Sequence, residues 1–490
     1  LGLTAQQIDF VNRVLNSKRK VVLMCNGNPY ILNSFQSARN VIISYEDLEL
    51  NNQLAAEVLY GGIDAKGKMP VSAGLAFPLG SGVATQKLDR FDYVIPEEAA
   101  FPGDAFYKLD SLAQNAIDKG ATPGCQVLVA KEGDVVYQRS FGYHTYDNIT
   151  SVKNYHLYDL ASLTKVLATT LAVMKLYDDH KIKLEDKLST YLPELAMSNK
   201  DEITVQDVML HQAGLQAFIP FYKSTLIDGK PNPVIYQATK DSVYTIQVAP
   251  SLFMHADYEQ FLWDAVINSE VKPKGNYVYS DLGFILLRKA IENISNQPFD
   301  QYVDSIIYKP LNLSNLTFKP FGKINNDWIV PTEMDTFFRW QLCNGTVHDQ
   351  TAAMLGGVSG HAGLFGSAND VAVIMQMLLN GGEYAGKRVL KESTVQLFTK
   401  KQGKTRRGLG FDKPETDNKK GSPTSRSCSP GTFGHTGFTG TCAWADPKSK
   451  VIFIFLSNRV YPSSENKKLI EMNIRTDMQD AVYDAVRRQE

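Results

Sequence analysis

Strand-like segments stand in two groups far apart in this chain, and the stretch between them is mainly helical in pattern. Gln126 to Val129 and Val135 to Arg139 flank a Glu132-Gly133-Asp134 turn, and strands return only at Phe433–Trp444 and Val451–Leu456. From Ser162 to about Leu379 the apolar residues recur at helical spacing. An amphipathic segment, Phe106 to Ile117, precedes the first hairpin, and a long helical pattern runs to the end from Glu465. Such strands can share one sheet only if the segment between them folds as an insert beside it. The pattern therefore predicts an antiparallel sheet flanked by helices, with a helical subdomain inserted.

That unit does not account for the whole chain. At 490 residues the chain exceeds the ~250–300 residues at which a single core stops growing. Residues 1–88 alternate helix and strand: Ala5–Leu15 helical, Val21–Met24 and Val41–Ile43 extended, Leu50–Tyr60 helical before Gly61-Gly62. They predict a partial α/β layer, so the fold class is α/β plus α+β. Residues 89–103, polar and then broken by Pro96 and Pro102, read as a linker, and the second domain spans 104–490.

Several function classes fall away on composition. A net charge of -1 gives no footprint for nucleic acid or for a polybasic membrane anchor. No apolar run approaches the ~20 residues of a bilayer span. Five cysteines, none in a Cys-x-x-Cys pair, and no His-Glu-x-x-His segment give no metal signature, and no cofactor is expected. At most two disulfides could form, with Cys428–Cys442 one candidate pair. The chain opens on Leu1-Gly2-Leu3-Thr4 and enters a helical pattern at once, so it reads as a piece of something longer.

Ser-x-x-Lys occurs four times, at Ser17, Ser162, Ser269 and Ser464. Only Ser162 follows an apolar pair, Leu160-Ala161, and opens a long apolar-periodic helix through Val166, Leu167, Leu171, Met174 and Leu176. Residues three apart share a helix face, so Lys165 can reach the Ser162 hydroxyl. A first helical turn also offers free N–H groups to a developing anion. Apolar surroundings would depress the lysine pKa and fit it to serve as a base. The plainer alternative makes Ser162 a helix cap and Lys165 a solvated cation.

Two later segments favour chemistry. Asn276-Tyr277-Val278-Tyr279-Ser280-Asp281-Leu282-Gly283-Phe284 leads into an apolar helix. It resembles the Tyr-x-Asn element of class C β-lactamases, related esterases and penicillin-binding proteins, with Asp281 at the asparagine position. Gly434-His435-Thr436-Gly437-Phe438-Thr439-Gly440, read as a strand, resembles the Lys-Thr-Gly strand of the same superfamily, with His435 for lysine. The resemblance covers about residues 104–488 and includes His211-Gln212-Ala213-Gly214-Leu215 and Gly360-His361-Ala362-Gly363-Leu364-Phe365.

It implies an acyl-enzyme mechanism. Ser162 would be the nucleophile, Lys165 and Tyr279 would share the proton, and the Phe438 and Ser162 amides would form the oxyanion hole. Asp281, His435, Thr436 and Gly437 would face the substrate, His435 orienting it or holding a proton. His211, His348 and His361 are expected to be buried structural histidines, with His348-Asp349 near the site.

The first unit resembles the end of the C-terminal α/β domain of family 3 glycoside hydrolases, on Gly67-Lys68-Met69-Pro70-Val71 through Phe77-Pro78-Leu79-Gly80, with Asn28-Pro29-Tyr30 and Ala55–Gly61. It implies an upstream glycosidase barrel fused to this chain. Together the two resemblances imply peptidoglycan recycling: an N-acetylmuramyl-L-alanine amidase acting on muropeptides, bacterial, and periplasmic or secreted. A β-lactamase, a carboxylesterase, and a penicillin- or peptide-binding module without turnover are the alternatives.

Overall fold

The structure, a computed structural model, describes residues 2–489 and divides into two units, one up to residue 92 and one from residue 93. In the first, Thr4 caps the helix Ala5–Leu15, accepting from the Gln7 amide while the Gln7 side chain accepts from the Thr4 amide. Leu23–Cys25 and Val41–Ile43 pair in parallel, and the helix Glu49–Tyr60 follows. The first strand starts two residues later than the apolar pattern suggests. Cys25, Leu32, Met69 and Ala73 form a small core.

The second unit carries the expected split sheet. Helix α1 (Tyr107–Asp118) leads into β1 (Gly124–Lys131) and β2 (Asp134–Gly142). The insert supplies α2 (Thr170–Asp178), α3 (Leu282–Ser295) and α4 (Ala368–Leu379). The chain then returns as β3 (Phe433–Thr436), β4 (Cys442–Asp446) and β5 (Val451–Ser457), and α5 (Ile474–Gln489) closes it. These five strands are antiparallel in the order β3-β4-β5-β1-β2. The β1–β2 connection is a two-residue turn with Glu132 and Gly133 at φ 57° and 98°, the left-handed pair that a tight hairpin needs.

Burial explains the sequence of the central strand. Val451–Ser457 is buried along its whole length, as a near-continuous apolar run should be when both faces are covered. Val127, Val129, Trp444, Phe453 and Phe455 pack with Leu109 and Ala113 of α1 and with Met478 and Val482 of α5; α4 packs against β4, β5 and β1. Each such side chain contributes about 1.5–3 kcal/mol by leaving water.

Three expectations needed adjustment here. Phe433–Trp444 is two strands around a turn, not one. Phe101, inside the stretch read as linker, is buried in the sheet's core with Phe106. All five cysteines are buried free thiols, so Cys428 and Cys442 are not bonded to each other; Cys442 lies in the core, and Cys428 Sγ contacts Ser425 O and Thr424 Oγ1. Among the described residues no helix is long and apolar enough to cross a membrane.

Candidate active site

Ser162 stands where a short strand turns into a helix. Tyr158–Asp159 pairs with Leu364–Gly366, and the Leu160 amide continues that ladder to Leu364 O at 2.9 Å. The next residue, Ala161, has φ 46°, a left-handed conformation that costs an alanine about 1–2 kcal/mol. The Asp159 carboxylate holds it there by accepting the Ala161 amide at 2.8 Å. This abrupt bend ends the strand and starts the helix at Ser162. The helix is less regular than the apolar period suggested: a tight turn at Ser162, a wide π-helical turn over Lys165–Thr169, then α2. Such widened turns often occur at functional sites.

Around Ser162 the structure assembles the groups that the sequence had scattered. Lys165 Nζ lies 3.0 Å from Ser162 Oγ, and the Tyr279 hydroxyl lies 2.9 Å from it. Lys165 is fully buried, donates to His361 O at 3.2 Å, and has Asp281 Oδ1 at 2.7 Å in an ion pair not aligned as a hydrogen bond. Burial by itself would depress the lysine. Asp281 and Tyr279 more than offset it, and the net result is a pKa above the ordinary lysine value. The expectation of a depressed lysine is therefore corrected: its surroundings are apolar in part, but they contain a carboxylate.

Tyr279 is placed by the His211 segment. The Val278 amide donates to His211 O at 2.9 Å and the Ser280 amide to His211 Nδ1 at 3.1 Å; the imidazole and the Tyr279 ring lie 4.6 Å apart. His211 is thus more than filler, and its buried Nε2 has no hydrogen-bond partner. His348 and His361 fit the structural reading: His348 Nε2 meets Glu333 at 2.8 Å, and His361 meets Ser359 and Asp349 at 2.8 and 2.9 Å.

The third segment supplies the opposite wall. His435 and Thr436 end β3, and the turn Gly437–Thr441 crosses over the nucleophile bend. Thr439 Oγ1 donates to Asp159 O at 2.7 Å and Thr441 Oγ1 to Leu160 O at 3.2 Å. Gly437 is obligatory, since a Cβ there would lie 2.1 Å from Thr441 Oγ1 and 2.7 Å from Leu160 O. Among the described residues, neither the Ser162 nor the Phe438 amide is engaged by a protein acceptor. Both remain available to a developing oxyanion. The Phe438 ring is 55% exposed, stacked on His348 with centroids 5.6 Å apart and crossed by the Arg459 guanidinium at 4.7 Å.

His435 does not behave as a lysine substitute. It is buried, with Nδ1 2.6 Å from Thr436 O and Nε2 without a partner. Burial, then the nearby Arg407 guanidinium, push its pKa down to about 3. Both effects favour the neutral imidazole over the imidazolium. Arg407 was not legible in the sequence as part of the site; it is buried beside Asp412, which Arg406 also grips at 2.8 and 2.9 Å. Beside Asp281 and His361 opens a cleft of about 390 Å3, walled by Phe218, Pro220, Tyr222 and Asp349. No cluster that could hold a metal ion occurs among the described residues.

An antiparallel sheet with a helical insert, and a serine touched by a lysine and a tyrosine at their junction, define the serine hydrolases of the β-lactamase and penicillin-binding-protein class. The chain belongs to the β-lactamase family: the family model described as Beta-lactamase matches residues 109–473. A Salmonella agona protein, whose given name proposes a D-alanyl-D-alanine carboxypeptidase, is 33% identical over 401 residues, covering 76% of this chain and 87% of its own. A Salmonella gallinarum protein of the same name is 32% identical over the same length and shares.

Solved structures agree on the fold. EstCE1, a hydrolase with promiscuous acyltransferase activity, superposes with a TM-score of 0.57 at 20% identity, over 78% of this chain and 99% of its own. A penicillin-binding protein homologue from Caulobacter crescentus gives 0.54 at 19%, over 78% and 98%.

Proposed function

We propose that this chain hydrolyses an amide of a cell-wall muropeptide, the bond between N-acetylmuramic acid and L-alanine, through an acyl-enzyme on Ser162. The observation that carries the chemistry is the placement of Ser162 Oγ within hydrogen-bond reach of both Lys165 Nζ, at 3.0 Å, and the Tyr279 hydroxyl, at 2.9 Å. Ser162 attacks the carbonyl carbon as the Lys165–Tyr279 pair takes its proton. The Ser162 and Phe438 amides hold the oxyanion, each such donor being worth about two to three orders of magnitude in rate. Tyr279 protonates the leaving group, and water then releases the acyl group.

The substrate reading rests on two supports. Residues 1–88 resemble the closing part of a family 3 glycosidase domain, which suits a chain that handles peptidoglycan fragments; the fusion to an upstream barrel belongs to this proposal. His435, uncharged, offers no ion pair to a free carboxylate at the strand edge, which favours scission of an internal amide over removal of a carboxyl-terminal residue. The same neutral ring, with the exposed Phe438 platform, favours a second reading as a carboxylesterase.

A fluorophosphonate or penicillin probe, with the modified peptide mapped, tests the nucleophile; a label on any other residue overturns it. Incubation with muramyl-L-alanyl peptides should release peptides that begin with L-alanine, and Ser162→Ala should abolish this. Ester turnover without peptide release would select the esterase reading. A stable adduct without turnover, seen by intact mass, would select a binding module.

A further inference from the structure

Asp281 occupies a position that the sequence suggested would face the substrate. It lines the cleft, and its carboxylate also sits 2.7 Å from Lys165 Nζ, with 24% of its side chain exposed against none for the lysine. The other neighbours of Nζ are Ser162 Oγ at 3.0 Å, the His361 carbonyl at 3.2 Å, and the rings of Tyr279 and Phe284 at 4.8 and 5.6 Å. The nearby fixed cation is Arg407, which is paired with Asp412. His211 and His435 are kept neutral by burial and by Arg407. His361 turns its ring away to Ser359 and Asp349.

A buried amine that lost its proton here would leave the Asp281 carboxylate without a countercharge, and removing one partner of such a pair is strongly destabilising. Burial depresses Lys165 and the carboxylate, with Tyr279, more than restores it. The two effects oppose each other, so the charge of the lysine depends on the identity of residue 281.

We propose that Asp281 is a positioning residue that keeps Lys165 in its ammonium form through their ion pair, so that the Ser162 proton passes to Tyr279 alone. This rests on the acyl-enzyme reading and narrows it. Tyr279, its own hydroxyl proton first lost to solvent, removes the Ser162 proton while Oγ bonds to the carbonyl carbon and the C=O π pair moves onto the oxygen. When the oxyanion collapses, the bond to the leaving nitrogen or oxygen breaks with its pair, and Tyr279 returns the proton to that atom. Water then repeats the sequence: its proton goes to Tyr279, its oxygen to the carbon, and Ser162 Oγ departs and takes the proton back. Lys165 neither gains nor loses a proton in the cycle. Its charge favours negative charge on the two oxygens beside it.

The test is the pH dependence of kcat/KM for a p-nitrophenyl ester, measured on the full chain from pH 6 upward. In the wild type the alkaline limb, marking loss of the lysine proton, should lie above about pH 10. In Asp281→Asn burial is opposed by Tyr279 alone, and that limb should move down by about one to three pH units. Asp281→Glu retains the charge and should retain the wild-type limb. An asparagine variant with an unmoved profile overturns the proposal, as does a change confined to KM, which would mark Asp281 as a substrate contact.

A measurement that needs no folded Asp281 variant is the 15Nζ resonance of Lys165 in the wild type, assigned by its loss in Lys165→Arg. An ammonium resonance at pH 9 is expected, and a neutral-amine resonance there overturns the proposal. Wild-type chain without Ser162-dependent ester turnover would overturn the acyl-enzyme reading and this one with it. Normal wild-type turnover with an unmoved asparagine profile would overturn the role of Asp281 alone.

Discussion

The Tyr279 hydroxyl is bonded to Ser162 Oγ at 2.9 Å, while its ring is fixed independently against His211 and lies 5.9 Å from the His435 ring. Function and placement therefore reside in different atoms of one side chain. Tyr279→Phe removes the proton carrier and keeps the packing, so kcat should fall by about two to four orders of magnitude. The melting temperature should stay close to wild type. Steady-state kinetics beside a thermal melt checks this; a phenylalanine variant with near wild-type kcat would pass the proton role to Lys165. The residue's candidacy was readable from sequence through the resemblance of its segment to the Tyr-x-Asn element. The charge states around it were not. Lys165 and Asp281 are far apart in the chain and meet only in the fold, and the neutrality of His435 depends on Arg407, which no local pattern connects to it.

Elements matter here through the two turns that face each other across the nucleophile. The bend Asp159–Ser162 and the turn Gly437–Thr441 are joined by the hydroxyls of Thr439 and Thr441 on the carbonyls of Asp159 and Leu160. Their N–H groups can cooperate on one oxyanion only while that spacing holds. Gly437→Ala would drive a methyl into Thr441 Oγ1 and Leu160 O, 2.1 and 2.7 Å away. The expected result is a loss of about two to three orders of magnitude in kcat, with a stability cost of about 1–3 kcal/mol from overpacking. Kinetics and denaturant unfolding measure both, and an alanine variant with wild-type kcat would remove the turn from the mechanism.

The elements themselves were largely legible, because strand pairs and amphipathic helices follow local periodicity: Ala5–Leu15 and Val41–Ile43 fall at the residues their patterns indicate. The clasp between the turns was not. It joins residues from opposite ends of the second unit, and threonines in a glycine-rich stretch carry no signal of which carbonyl they will find.

At the scale of the whole second unit, the buried ionisable groups set its response to acid. His435 is pushed down to about 3 and His156 to about 4, by burial first, and His144 and His211 are lowered for the same reason. His144 Nε2 and His156 Nδ1 lie 2.7 Å apart, a contact that one proton can bridge and two cannot. In the unfolded chain each imidazole binds a proton near pH 6.5. The folded chain does not until the solution is far more acidic. Below pH 6.5 the unfolded state therefore holds more protons, and stability falls with pH, each tenfold difference in proton affinity between the two states being worth about 1.4 kcal/mol.

The carboxylates add to this at lower pH. Burial would raise Glu333 and Asp412, but His348 with Ser464, and Arg407 with Arg406, more than offset it and hold both near 2. Their contribution is present above about pH 4 and is lost as pH falls toward 2. Asp159 and Asp370, raised by burial, act in the opposite sense and offset part of the loss. The unit should therefore melt at its highest temperature near neutral pH, lose stability from about pH 6.5 downward, and lose it more steeply below about pH 4.5. Calorimetric scans at pH 7.5, 6, 5 and 4 follow this directly. His435→Gln, which cannot be protonated, should flatten the slope between pH 6.5 and 5 and leave the acid limb in place. A melting temperature constant from pH 7 to pH 5 would mean that these imidazoles are not held neutral by the fold.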